Sequence, residues 1–431
     1  MQQLVNIKAG EWRAVAWSFL YFFSLLGSYY ILRPIRDEMG VLAGIEKLHW
    51  LFTATFFAML LVIPLFGYLT SQLPRRRFLP YVYYFFISNI LLFFLFFESG
   101  FSQLYTARIF FVWLSVFNLF VVSVFWSFMA DLFVDAEAKR LFPVIAAGGT
   151  IGAIVGPLLT TLLVQLLGTS TMLLLSAGLL GLSVVCIHRL LAWQQDRGAG
   201  APQGLAVEKP LGGAILDGIR LTLSSPYLLG ICLLMLLYTL LSTFLYFQQA
   251  QIVKEAFADS ETRTAVFAAI DLAVNLLTLL LQALVTSRLV KGVGLAVTLA
   301  LVPLLLVFGF MLLGLYATLP VLIAVQVIRR AGNYAIMRPA REMLYVVLSR
   351  EEKYKAKNFI DTLVYRGGDA VSSWIYAGFK ALGLSLSAIA FIGVPIALAW
   401  AWIAFHLGRR QAILARRACS QPGGDGYENS G

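Results

Sequence analysis

Long apolar stretches separated by short polar segments make up most of this sequence. A helix needs about 20 mainly apolar residues to cross the hydrocarbon core of a bilayer. By that criterion we predict twelve membrane-spanning helices, in an all-α membrane protein. The predicted spans are residues 14–32 (extending as far as 40), 51–71, 78–97, 106–129, 143–167, 171–191, 227–247, 264–288, 293–315, 319–338, 359–382 and 385–407.

One long polar interruption, rich in Gly, Ala and Pro, divides these spans six plus six. We predict an N-terminal six-helix half at residues 1–193, a cytoplasmic linker at 194–213, a C-terminal half at 214–408 and a disordered cytoplasmic tail at 409–431. The two halves share a faint pattern of residues. The first half contains Asp131-Leu132-Phe133 and later Gly148-Gly149, and the second contains Glu342-Met343-Leu344 and later Gly367-Gly368. Two pseudo-symmetric six-helix halves are the plan of major-facilitator-like transporters, although coincidence among common residues would give the same match.

Composition supports this interpretation. The chain is 60% hydrophobic and 13% charged, with a mean hydropathy of +0.82, whereas soluble domains are about 45–50% apolar and about 25% charged. The net charge of +11 would suit nucleic-acid binding, but its placement favours a topology signal. With the termini inside, 25 of the 33 Lys and Arg residues fall in inner segments and 7 in outer ones. We predict cytoplasmic termini, a bacterial inner membrane and no nucleic-acid partner.

The residues that catalysis or metal binding would need are sparse. Three cysteines and three histidines are scattered, without a CxxC pair. The sequence contains no Walker A, HExxH or GxSxG pattern. We therefore predict no enzymatic activity, no catalytic residues, no metal site and no cofactor, and we expect a monomer.

Charged residues inside predicted spans are the best guide to function, because a charge within lipid usually faces a cavity or a partner. Arg33, Arg36 and Asp37 surround Pro34, which could break the first helix, as happens where transporters bind their cargo. Alternatively, this is a helix end with snorkelling arginines, which Asp37 and Glu38 neutralise.

Later spans contain further charges. Arg329 and Arg330 follow about ten apolar residues, roughly 15 Å of helix, and either bind an anion or pair with acids on other helices. Asp271 lies within the eighth span, where a carboxylate needs an arginine or a proton. It could hold a gate ion pair or carry protons. Arg366 and Asp369 share a helix face and either pair with each other or reach across a cavity.

Several segments resemble the ATP/ADP translocases of bacteria and plastids, a nucleotide exchange family. These are Leu32-Arg33 through Arg36-Asp37, Phe125-Trp126-Ser127-Phe128, Arg341-Glu342-Met343-Leu344-Tyr345, Lys355-Ala356-Lys357 and Arg366-Gly367-Gly368. The resemblance implies a major-facilitator-like fold that exchanges ATP for ADP, with Arg36 at the position of the family's lysine. Two positions depart from the family: Asp369 stands where it has a lysine, and Leu114 or Ser115 where it has an acid.

From these observations we expect a secondary transporter in the lipid bilayer for an anionic phosphorylated solute, such as a nucleotide. Arg33, Arg36, Arg329, Arg330 and Arg366 would bind the solute. Asp37, Asp271, Arg341, Glu342 and Asp369 would form gating or charge-balancing pairs. Two alternatives stay open: a proton-coupled exporter of amphiphilic or lipid-like molecules, and a non-transporting membrane sensor or scaffold.

Overall fold

The computed structural model describes residues 7–8, 10–72, 75–100, 102–196 and 215–420. Across these ranges the chain is helical, without a strand. The helices are α1 Trp12–Leu42, α2 Leu48–Gln72, α3 Arg75–Glu98, α4 Gln103–Leu132, α5 Asp135–Asp196, α6 Ile215–Ser224, α7 Pro226–Ala256, α8 Ser260–Leu284, α9 Thr286–Leu315, α10 Leu319–Gly332, α11 Arg338–Leu344, α12 Arg350–Phe359, α13 Tyr365–Ala381 and α14 Leu386–Ser420. Short 3₁₀ turns cover Ile45–Lys47 and Tyr345–Val347, and π-helical turns cover Asn333–Met337 and Ile360–Val364.

Within the described ranges, nine helical segments are long and apolar enough to cross a membrane. One of the nine, α5, holds two predicted spans in succession, joined at Gly168, whose φ of 77° lies in the left-handed region that glycine tolerates. The two remaining predicted spans correspond to the run from α10 through the π-turn to α11, and to α13. The prediction of an all-α membrane protein is confirmed.

Contacts divide the chain into two compact units. The first unit comprises Met1–Pro210 and Phe247–Leu276. Its centre is the packing of α1 along α5, where a Cβ added to Gly148 or Gly152 would collide with the α1 backbone. Small residues that allow such close approach are typical of helix packing in membranes.

Buried hydroxyl pairs reinforce the contact between α1 and α5. The Oγ atoms of Ser24 and Ser183 are 2.7 Å apart, and those of Ser28 and Ser176 are 2.8 Å apart. Each pair satisfies polar groups that would otherwise be buried without a partner, so these serines join the two helices along one face.

The second unit comprises Leu211–Tyr246 and Leu277–Gly431. In it α9 packs against α14, and the lack of a side chain at Gly408 lets α14 approach the backbone of α9. The short helices α6 and α12 also pack together, with Gly218 against the carbonyl oxygen of Lys355.

The two π-turns lie next to arginines that the sequence singled out. Asn333–Met337 begins three residues after Arg330, and Ile360–Val364 ends two residues before Arg366. A π-turn departs from regular helical bonding and is frequent at functional sites. The Thr286 hydroxyl donates to a backbone carbonyl inside the first turn at 2.9 Å, which satisfies that polar group.

Two expectations about helix ends need correction. The first span takes the longer of its two predicted lengths, and Pro34 does not break it, because α1 continues to Leu42 with Pro34 inside it. The predicted tail is not disordered from residue 409, because α14 extends to Ser420. Its last turns contain Ala, Leu and Arg residues, which favour a helix. Residues 197–213 of the predicted linker and 421–431 of the predicted tail lie outside the described ranges.

Candidate functional site

In the first unit, the arginines of α1 are engaged by other parts of that unit. Nη1 of Arg33 lies 3.5 Å from Oδ1 of Asp271 on α8, and the Arg33 side chain is 18% exposed. Arg36 donates from Nε to the backbone oxygen of Phe111 at 3.1 Å, and its guanidinium carbon lies 3.8 Å from the centre of the Phe111 ring. Nη1 of Arg36 is also 3.6 Å from Oδ1 of Asp37. Both arginines therefore have a carboxylate nearby.

A third ion pair in this unit involves residues that the sequence did not assign to a site. Arg263 at the start of α8 donates from Nε to Oε2 of Glu38 at 2.8 Å, and from Nη2 to Oε1 at 2.6 Å. Its Nη1 donates to the carbonyl oxygens of Phe257 and Ala258, which lie just beyond the end of α7. The Ser260 hydroxyl adds a bond to Oε1 of Glu38 at 2.9 Å. This pair joins α1 to the α7–α8 turn.

In the second unit, Arg329 and Arg330 are consecutive and buried, with exposures of 5% and 7%. Arg329 donates from Nε and Nη2 to Oε1 of Gln326, at 3.0 and 2.8 Å, and from Nη1 to the Ser242 hydroxyl at 2.7 Å. Gln326 stands one helical turn earlier on α10, and Ser242 is on α7. In the part of the chain that the structure describes, each hydrogen-bond acceptor of Arg329 is uncharged.

Two tyrosine rings link the π-turn that follows Arg330 to Arg366. The rings of Tyr238 on α7 and Tyr365 on α13 are nearly parallel, with centres 6.2 Å apart. The Arg366 guanidinium lies 5.4 Å from the centre of the Tyr365 ring. Asn333, in the π-turn after Arg330, donates to the Tyr238 hydroxyl at 3.0 Å. Arg329, through Ser242 on α7, and Arg366, through the two tyrosines, thus adjoin the same part of α7.

The other predicted charge-pairing residues of this unit lie on α11 and α13. Nη2 of Arg341 is 3.1 Å from Oδ1 of Asp361, and Glu342 accepts a hydrogen bond from Nζ of Lys357 at 2.7 Å. These pairs join α11 to the α12–α13 region. Asp369 is half-buried on α13.

Four residues of these sites were not assigned to a site from the sequence. Glu38 and Arg263 pair with each other, and Gln326 and Ser242 hold Arg329. Glu38 was visible as an acid beside Asp37, but its partner lies 225 positions away. Gln326 carried a usable signal, because it precedes Arg329 by three residues, and helix neighbours at that spacing contact each other. Within the described ranges, no group of His, Cys, Asp and Glu residues is arranged to hold a metal ion.

Comparison with known proteins gives a family and a fold. The model of the Major Facilitator Superfamily matches residues 14–354. A solved auto-inhibited peptide transporter of the POT family is 14% identical, with a TM-score of 0.62 over 97% of this chain and 99% of that chain. The nucleoside transporter NupG is 13% identical, with a TM-score of 0.61 over 95% and 100%. A comparison with curated protein sequences gave no significant match.

Proposed function

We propose that this chain, which belongs to the major facilitator superfamily and is therefore a membrane transporter rather than an enzyme, carries a small anionic solute by alternating access. The observation that carries the proposal is the environment of Arg329. Its guanidinium is buried, yet the described acceptors that hold it, Gln326 and Ser242, are neutral. A buried charge without a counter-charge is costly, and an anionic solute would supply one.

The neighbours of Arg329 fit an anion with more than one negative charge. Arg330 adds a second buried positive charge next in sequence, and the half-buried Arg366 adds a third beside Tyr365, on the same helix as Asp369. Arginine binds carboxylate and phosphate oxygens through two parallel hydrogen bonds. A phosphorylated solute such as a nucleotide meets these requirements, and the Tyr238 and Tyr365 rings offer apolar faces for a planar base. ATP/ADP exchange, which the sequence resemblance implies, is the first reaction to test.

The test uses purified protein in liposomes preloaded with unlabelled ADP, followed by the uptake of labelled ATP. We expect uptake to require internal nucleotide, and Arg329→Gln to reduce it at least about tenfold, since hydrogen bonds to charged groups contribute about 1.5–3 kcal/mol. Arg416→Ala, which removes an exposed arginine on α14, is the matched control. Uptake by Arg329→Gln at the wild-type rate would refute the proposal.

One observation favours a second candidate, an exporter of amphiphilic or lipid-like molecules. The second unit contains an apolar groove of about 550 Å³ between α6, α7 and α13. Its lining includes Leu236, Leu240, Leu363 and Val371, and apolar pockets of this size accommodate small ligands. Transport of a labelled amphiphile that depends on a proton gradient, without exchange for nucleotide, would favour this function.

The orientation and assembly of the transporter are part of the proposal. We place both termini on the cytoplasmic side of a bacterial inner membrane, because the excess of Lys and Arg falls in the segments that this orientation puts inside. The functional unit would be a monomer, with six-helix halves at residues 1–193 and 214–408. Labelling of single cysteines placed in the outer and inner turns would test the orientation.

A further inference from the structure

We propose that Gln326 is a specificity-determining residue, which holds Arg329 in place without neutralising it and so makes the site require an anionic cargo. Ser242 is its partner in positioning the guanidinium. This inference rests on the proposed function, because it assigns the counter-charge of Arg329 to the cargo. It names Gln326 and Ser242 as the groups that leave this counter-charge to the cargo.

The described hydrogen bonds of Arg329 leave two N–H donors of its guanidinium for a ligand. Arginine has five N–H donors in a planar fork. Gln326 Oε1 accepts from Nε and Nη2, which together form the side edge of the fork, and Ser242 accepts from Nη1. These three described bonds use three donors, so each terminal nitrogen retains one N–H. A carboxylate or phosphate can accept from both terminal nitrogens at once.

The neutral charge of Gln326 is what separates this arrangement from a permanent ion pair. Arg263 shows the alternative within the same chain, because its Nε and Nη2 are held by the two oxygens of Glu38. In that pair the carboxylate supplies both the positioning and the counter-charge. At Arg329 the amide oxygen of Gln326 positions the guanidinium but brings no negative charge. The counter-charge is therefore left to the bound anion.

Gln326→Glu tests this directly, since it changes one atom of the side-chain head and copies the Glu38–Arg263 arrangement. We expect the thermal unfolding temperature of the purified full chain to rise without ligand, because a buried arginine gains a carboxylate. We expect the stabilisation of the protein by ADP or inorganic phosphate to disappear. ADP-driven uptake of ATP should fall at least about tenfold, the loss that corresponds to about 1.4 kcal/mol.

Two further variants separate specificity from a structural role. Gln326→Leu removes the positioning without adding charge, and should lower the unfolding temperature. Ser242→Ala, which removes the second positioning group, should weaken ADP binding and reduce the exchange of nucleotide less than Gln326→Leu does. Gln165→Glu, at an exposed position on α5, controls for the change in net charge. If Gln326→Glu and Gln326→Leu both lower the unfolding temperature and reduce uptake alike, Gln326 is only structural and the inference is wrong.

The two proposals fail in different ways. If neither ADP nor inorganic phosphate stabilises the wild-type protein, and no nucleotide exchange occurs, the proposed anionic cargo is overturned together with the inference. If the wild type responds to either probe and Gln326→Glu responds equally, the cargo proposal stands and the role of Gln326 is refuted. A wild type that responds and a Gln326→Glu variant that is more stable but unresponsive would support both.

Discussion

Arg263 in the first unit and Arg329 in the second are held through the same three nitrogens but by different chemistry. Both are at most 7% exposed, and both use Nε and Nη2 on one side-chain group and Nη1 on other groups. For Arg263 the first group is the carboxylate of Glu38, and for Arg329 it is the amide of Gln326. The comparison teaches that a buried arginine is a structural element when the chain supplies its counter-charge, and a candidate binding residue when it does not.

Glu38→Gln is the most direct test of this comparison, because it gives Arg263 a neutral partner like that of Arg329. Removing one member of a buried, hydrogen-bonded ion pair costs about 3–5 kcal/mol, so we expect a large loss of stability. Thermal unfolding of the purified protein in detergent would measure it. The double variant Glu38→Gln/Arg263→Gln, which removes both charges, should recover part of the loss. Equal unfolding temperatures for Glu38→Gln and wild type would show that the pair is not structural.

The Arg33–Asp271 ion pair is intermediate in burial between a surface pair and the Glu38–Arg263 pair. We therefore expect a smaller loss of stability when it is broken. Its contact with Asp271 is 3.5 Å long, and its side chain is 18% exposed. Water therefore screens this pair more than the Glu38–Arg263 pair. We expect Asp271→Asn to cost about 1–3 kcal/mol, between the values for surface and buried pairs, measured by the same unfolding assay. A loss as large as that of Glu38→Gln would mean that Asp271 is as structural as Glu38.

The difference between these arginines could be predicted only in part from the sequence. The length and hydropathy of the spans were sufficient for the all-α membrane fold, because membrane helices follow from local composition. Arg329 was evident as a charge after an apolar run. Its partner Ser242 was not, because the two are 87 positions apart, and Arg263 is 225 positions from Glu38. Helix packing decides such contacts, and one sequence carries little information about it. Pro34 was also misleading, because its position suggested a break in the first helix, whereas α1 is continuous there.

An ion pair at the start of α1 extends the comparison to a carboxylate outside the membrane spans. Glu11, which is buried, accepts two hydrogen bonds from Arg140, at 2.9 and 2.8 Å. The hydrogen bond from Arg140 lowers the pKa of Glu11 below its usual value of 4.5. Because the folded-state pKa is the lower one, the pair stabilises the protein above the unfolded-state pKa, and this stabilisation is lost as the pH falls through the folded-state pKa.

We therefore expect Glu11→Gln to lower the unfolding temperature slightly at neutral pH. The difference in unfolding temperature from wild type should shrink as the pH falls below 4.5 and the wild-type carboxyl takes up its proton. The effect should be the smallest of the three, because the Arg140 side chain is 21% exposed and water screens its charge. Unfolding temperatures of both proteins, followed from neutral pH into the acid range, would show the two curves converge. Asp135→Asn is the matched control, since that residue forms an exposed pair with Lys139. Curves that stay parallel throughout would mean that Glu11 stabilises α1 by packing rather than by its charge.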